Sequence, residues 1–352
     1  MNSCLPALLL IVSLTIVGCG GEKSSSAHSN TLVFSRGSDA QKLDPADVDD
    51  GESVKTLNQI CEGLLRFKSG TLELEPWLAE SYSLSDDGLK ITFKIREGII
   101  FHDGTPVTAE AAAFSFLRQM DKEHPGHLPG AIFQYWTSLY SDIETVTVEG
   151  PMTLTMGLRQ PNATILFSLA AFPAYLISPQ SLVDYGQDMV RNPVGTGPYQ
   201  FSSWEPNQAI ILKKFDNYWG EPAGFERLVI KSVPENAVRL LDLKAGKTQI
   251  LDGLQPAEVQ PLIEDPNFDV YHEPGMINMN RDFSIWVFDL LTASGRDAEY
   301  SSLLPWSRTN VRSLGSQSSS ATSLLRESTK KSSWKIWTID GKLKDYLFII
   351  PA

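Results

Sequence analysis

The run over residues 85–110 restricts this chain's fold more than any other stretch. Asp86-Asp87-Gly88 separates two apolar segments, and Asp-Gly in that setting is a strong hairpin signal. The returning strand, Lys90-Ile91-Thr92-Phe93-Lys94-Ile95-Arg96, alternates polar and apolar residues. Period two sends Ile91, Phe93 and Ile95 to one buried face. After a second turn-bounded segment at 98–107, Thr108 stands where a helix N-cap belongs, with Glu110 in the first turn facing the helix dipole. The third helical position is Ala111, so the reciprocal Glu or Gln of a capping box is missing. A helix over 109–120 is expected.

Similar pieces recur on both sides. Thr31-Leu32-Val33-Phe34-Ser35 is β-prone and runs into the turn chemistry of Arg36-Gly37-Ser38-Asp39. Leu57, Ile60, Cys61, Leu64 and Leu65 recur at helical spacing after a loop containing Asp44-Pro45. Segments 145–150 and 152–158 read as a second hairpin around Gly150-Pro151, and 166–171 as a short apolar helix ended by Pro173. Interleaved strands and helices indicate an α/β or α+β fold. About 330 residues after a leader exceed one ordinary core, so two units or a domain with a subdomain are expected.

Residues 5–18 carry no charge and number 14, short of the roughly 20 that span a bilayer as a helix. They read as the apolar region of a signal peptide, and Ile16-Val17-Gly18-Cys19 resembles the bacterial lipobox. Residues 1–18 are thus expected to be removed, with Cys19 lipidated and tethering the protein outside the cytoplasmic membrane, in the cell envelope. Residues 1–4 lack the Lys or Arg that normally opens such a leader; the competing reading is an uncleaved hydrophobic anchor. The polar residues up to 30 suit a flexible tether. With Cys4 removed and Cys19 acylated, only Cys61 remains, so no intramolecular disulfide can form. Cys61 is expected to be a small buried hydrophobe. The net charge of −12 argues against nucleic acid, which demands a basic face.

Four motifs together resemble the extracellular solute-binding proteins of the dipeptide and oligopeptide ABC transporter family, family 5. They are the run from Ala79-Glu80-Ser81-Tyr82 through His102-Asp103-Gly104-Thr105-Pro106-Val107-Thr108-Ala109-Glu110, then Asn192-Pro193-Val194-Gly195-Thr196-Gly197-Pro198-Tyr199, Phe215-Asp216-Asn217-Tyr218-Trp219-Gly220, and Val233-Pro234-Glu235-Asn236-Ala237-Val238-Arg239 with Leu243-Lys244-Ala245-Gly246-Lys247. Each also reads as scaffold. Gly195 and Gly197 suit a tight turn, Tyr218 and Trp219 a core, and His102-Asp103 has no second His at ligand spacing.

The resemblance implies an α/β fold of the type II periplasmic-binding-protein class. Its first lobe would cover 31–276, with an extra subdomain over about 45–181. In the family a second lobe closes over the ligand, and none is recognisable here. Residues 281–352 hold 14 Ser and a net charge of +3, against −15 for residues 1–280. Residues 277–352 are therefore expected to be a non-family tail, disordered or produced by a frameshift near codon 280.

By the same resemblance the protein is a monomeric, non-enzymatic binding component without cofactor or metal, delivering peptides to ABC permease subunits. Ser35, Arg36, Gly37, Ser38 and Asp39 would line the ligand, Arg36 facing a carboxylate and Asp39 an amine. The competing reading of that segment is a solvated turn with two surface charges. The family also includes nickel, haem and oligosaccharide binders, and an inert surface lipoprotein is a further alternative. A serine hydrolase is disfavoured, because no Gly-x-Ser-x-Gly elbow occurs.

Overall fold

The computed structural model describes residues 30–68 and 71–265, together with the strands Asp269–Glu273, Ile285–Phe288, Thr338–Ile339, Lys342–Leu343 and Tyr346–Ile350. The leader, Cys19, the tether and most of the residues beyond 273 lie outside the described residues. Among the described residues no helix is long and apolar enough to cross a membrane.

Strand Thr31–Arg36 lies at the centre of the main sheet. It runs parallel to Arg227–Ser232 on one side and to Ile250–Leu251 on the other. Hairpin Tyr199–Glu205 and Ala209–Lys214 extends the sheet antiparallel beyond Arg227–Ser232. On the opposite side follow Ile285–Phe288, Tyr346–Ile350 and Asp269–Glu273. Leu32 and Phe34 point from the central strand into a core shared with Leu57, Ile60, Tyr199, Ile210, Leu212, Leu228 and Ile230.

The expected hairpin forms as Ala79–Leu84 and Lys90–Ile95, and joins Thr153–Leu158 and Ile143–Gly150 in a four-stranded antiparallel sheet. Ile91, Phe93 and Ile95 are each 0% exposed, as the alternation requires. Helix Ala109–Met120 begins where expected, the Thr108 hydroxyl accepting the Ala111 amide at 3.3 Å. Ala109, Ala112 and Phe116 then join the core on that sheet. This second core is distinct from the first, and the two are bridged by a buried ion pair. Arg118 of the helix donates two hydrogen bonds, 2.7 and 2.5 Å, to Asp44 of the loop after the central strand.

One expectation changes. Leu57, Ile60, Cys61, Leu64 and Leu65 are all buried, but the helix, Gly51–Ile60, stops before Cys61. Its end is fixed from outside: the Gly197 amide docks on the Ile60 carbonyl at 2.8 Å. Cys61 turns extended, and Glu62–Gly63 and Leu65–Phe67 follow as short strands. The Cys61 thiol is buried, and burial pushes its pKa up, as suits an inert core position.

Candidate functional site

The three parallel strands end at a common edge, at Arg36, Ser232 and Leu251. The strand ends are stitched together where the chain leaves them: the Asp252 amide donates to the Ser35 carbonyl and the Val233 amide to the Arg36 carbonyl, each at 2.9 Å. Open α/β sheets receive ligands outside the carboxyl ends of their strands. Segment 35–39 lies on this edge.

Its charged groups are turned inward. Arg36 is 0% exposed. It donates to the Glu52 carbonyl at 2.5 Å, to Thr56 Oγ1 at 3.0 Å and to Asp39 Oδ1 at 3.3 Å, with the Glu52 carboxylate 3.6 Å from Nε. Burial draws its guanidinium pKa down, against the pull of Glu52 and Asp39. Asp39 accepts hydrogen bonds from Trp204 Nε1 at 2.9 Å, the Asn207 amide at 2.7 Å and the Ala40 amide at 2.9 Å. Burial works against its charge, yet the bonds from Asn207, Trp204 and Ala40 hold its carboxyl below the usual range. Ser35 is buried, Ser38 is exposed and Gly37 is half-buried. Ser38 is thus the residue of the segment most open to solvent, with Gly37 and Asp39 half-buried beside it.

Sequence reasoning missed four neighbours that complete this edge. Glu52 and Lys55 come from one face of helix Gly51–Ile60, and Lys55 bridges Glu52, at 2.9 Å, and Asp252. Burial opposes the Lys55 ammonium, but Asp252 and Glu52 together raise its pKa above the ordinary lysine value. Arg239, 4% exposed, donates to main-chain carbonyls of the other two strand ends: Val233 at 2.6 Å, Pro234 at 2.9 Å, Asp252 at 3.1 Å and Gly253 at 3.2 Å. Arg239 lay within a family motif, but no sequence signal tied it, Glu52, Lys55 or Asp252 to this edge, because their partners are distant in the chain.

The remaining motifs converge on a different residue, Glu62. Its carboxylate is 8% exposed. It accepts from Trp77 Nε1 at 2.7 Å, Tyr218 Oη at 2.8 Å, Trp219 Nε1 at 3.0 Å and Thr196 Oγ1 at 2.8 Å. Burial pushes its pKa up, and the four donors act in the opposite sense. Close approach explains the glycines of the second motif: a Cβ on Gly195 would sit 2.1 Å from the Ile60 carbonyl oxygen, and one on Gly197 2.6 Å from that of Gln59. These motifs build the joint between the two cores.

His102 belongs to that joint. Its Nε2 bonds the Gly197 carbonyl at 2.9 Å, which makes it the protonated nitrogen, and Nδ1 faces the Gly195 amide at 3.4 Å. Ser178 bonds Asp103 instead, at 2.5 Å. Burial lowers the His102 pKa from 6.5 to about 4, against the Gly197 bond and Asp103. The unfolded chain therefore binds a proton that the folded chain refuses between those values. The contribution of this group to stability is full above pH 6.5 and is expected to be lost as the pH falls toward 4, by ~3 kcal/mol. Denaturant unfolding across this range should show that slope, and His102→Gln should flatten it.

Residues 73–289 match the family model for bacterial extracellular solute-binding proteins, family 5. The chain belongs to this family. It is 32% identical over 256 residues to the glutathione-binding protein GsiB of Escherichia coli, covering 72% of this chain and 48% of that one. With heme-binding protein A of Haemophilus influenzae it shares 30% identity over 303 residues, covering 77% and 55%. Among solved structures it resembles the periplasmic binding protein DppA of Helicobacter pylori in complex with the peptide STSA, with 35% identity and a TM-score of 0.65 over 69% of this chain and 50% of that one. HbpA2 of Haemophilus parasuis gives 29% identity and a TM-score of 0.66 over 70% and 51%. The fold is thus the type II periplasmic-binding-protein fold expected from the motifs. The chain spans about half the length of the relatives it matches.

Proposed function

We propose that this family 5 chain supplies one lobe of a peptide-binding component of an ABC importer, anchored outside the cytoplasmic membrane through lipid on Cys19 and working as a monomer with permease subunits. The observation that carries this reading is the common edge of three parallel strand ends, in a lobe 35% identical to a protein solved with a bound tetrapeptide. In this reading the segment 35–39 is the ligand edge. Gly37 and Ser38 touch the ligand, while Ser35, Arg36 and Asp39 hold their backbone in place.

A peptide laid along such an edge is held through its main chain, with water filling the space around its side chains. Closure of a second lobe would exclude bulk water and strengthen those bonds. The described lobe by itself leaves the edge open. Calorimetry of the chain with di- to pentapeptides should therefore give binding weaker than micromolar; micromolar or tighter binding would overturn this account of the open edge.

A further inference from the structure

We propose that the strand-end edge contains a carboxylate subsite, in which the main-chain amides of Gly37, Ser38 and Gly253 receive the anion above the buried guanidinium of Arg239. The proposal rests on the reading of this edge as the ligand face. It assigns the attraction for a ligand carboxylate to Arg239 rather than to Arg36.

The charges of the edge are the first support. Arg36 pairs with Asp39 and Glu52, and Lys55 with Glu52 and Asp252. Arg239 instead donates to the four carbonyls named above and to Asn236 Oδ1 at 2.9 Å. Among the described residues no carboxylate stands within ion-pair distance of it. Neutral acceptors satisfy its hydrogens, and the carboxylates of Asp252, Glu258, Glu52 and Glu235 act on its charge only from beyond ion-pair distance, so a partly desolvated cation remains to act on a nearby anion. Of the carboxylates around it, Asp39 is held by Trp204, Asn207 and Ala40, Asp252 and Glu52 by Lys55, and Glu258 by Asn236 and the Gln255 amide, while Glu235 is exposed to water.

Backbone geometry is the second support. A Cβ on Gly37 would lie 3.6 Å from Arg239 Nη1, and one on Gly253 3.2 Å from Nη2. Two glycines from different strand ends thus bring bare backbone against the same guanidinium. Gly253 has φ +78, a conformation that side-chain-bearing residues rarely adopt. Among the described residues the amides of Gly37, Ser38 and Gly253 donate to no protein acceptor, while Ser38 is exposed and both glycines are half-buried. Unspent amides beside a cation can serve an anion-binding concavity. A carboxylate bound there gains charge-assisted hydrogen bonds.

The test is an amide-resolved NMR titration of the chain with three peptides: N-acetyl-trialanine, its C-terminal amide, and that amide with a glutamate replacing one alanine. The free carboxylate should shift the Gly37, Ser38 and Gly253 amides with an affinity about tenfold above that of the amide. The glutamate peptide tells a terminal carboxylate from a side-chain one, and carboxylate-dependent shifts by either support the subsite. Arg239→Gln should abolish the preference. Because that change also frees several carbonyls, it is paired with Gly37→Ala, whose methyl meets Arg239 at ordinary contact distance and should weaken the preference several-fold in a folded protein. Equal binding of all three peptides at these amides overturns the subsite and leaves the ligand-edge reading intact. No shift there with any peptide overturns both.

Discussion

Glu62→Ala is expected to destabilise the lobe by about 4 kcal/mol or more, a loss measurable as a reduced midpoint in denaturant unfolding. The substitution removes one carboxylate but strands four donors, from Trp77, Thr196, Tyr218 and Trp219. Each buried donor left without an acceptor costs about 1–3 kcal/mol, and the costs of neighbours do not simply add. Water can reach the half-buried Tyr218 and both tryptophans in part, which holds the expected loss below the full sum. Glu62→Gln should fall between the two proteins. Its amide offers one acceptor oxygen and places N–H groups against donors, so at least one indole bond is lost while the shape is kept. A Gln variant as stable as the parent would mean that the negative charge and the second acceptor oxygen add nothing to stability.

Arg118→Ala should cost about 3–5 kcal/mol by the same measurement, because it leaves Asp44 as an uncompensated buried charge. The side chains of Arg118 and Asp44 are 0% and 2% exposed, and their contact is bidentate. The Ala46 amide at 3.1 Å is a remaining donor to Asp44, too little to replace a guanidinium. The double variant Asp44→Leu with Arg118→Met is expected to recover most of the loss, since a matched apolar pair often equals a buried ion pair in stability. A double variant no better than Arg118→Ala would show that the pair holds the two cores in register in a way apolar contacts cannot.

Local chemistry was legible wherever partners are close in the chain. Asp87 and Gly88 made a turn, Thr108 capped a helix, and the alternation over 90–96 gave the correct buried face. The apolar spacing of Leu57, Ile60, Cys61, Leu64 and Leu65 gave burial correctly but not the helix end, because Gly197 fixes that end from 137 positions away. The motifs around Thr196, Tyr218 and Trp219 identified the family from sequence, but the acceptor that unites them, Glu62, belongs to no recognised pattern.

At the ligand edge the division is sharper. Sequence placed Arg36 and Asp39 in a turn after the first strand; Arg36 instead closes that strand, paired with Ser232, and the chain bends at Gly37 and Ser38 before Asp39. Sequence could not say which way their charges point, since an arginine beside a glycine reads the same whether it faces water or a half-buried glutamate. The central position of Thr31–Arg36 between two strands roughly two hundred residues later in the chain decided this. It buried Arg36 against Glu52 and brought Arg239, with two glycines, to the edge instead. Periodicity, turns and caps follow from interactions within a few residues, so the sequence determined them alone. The direction of each charge depends on which distant backbone lies beside it, and only the tertiary structure supplies that.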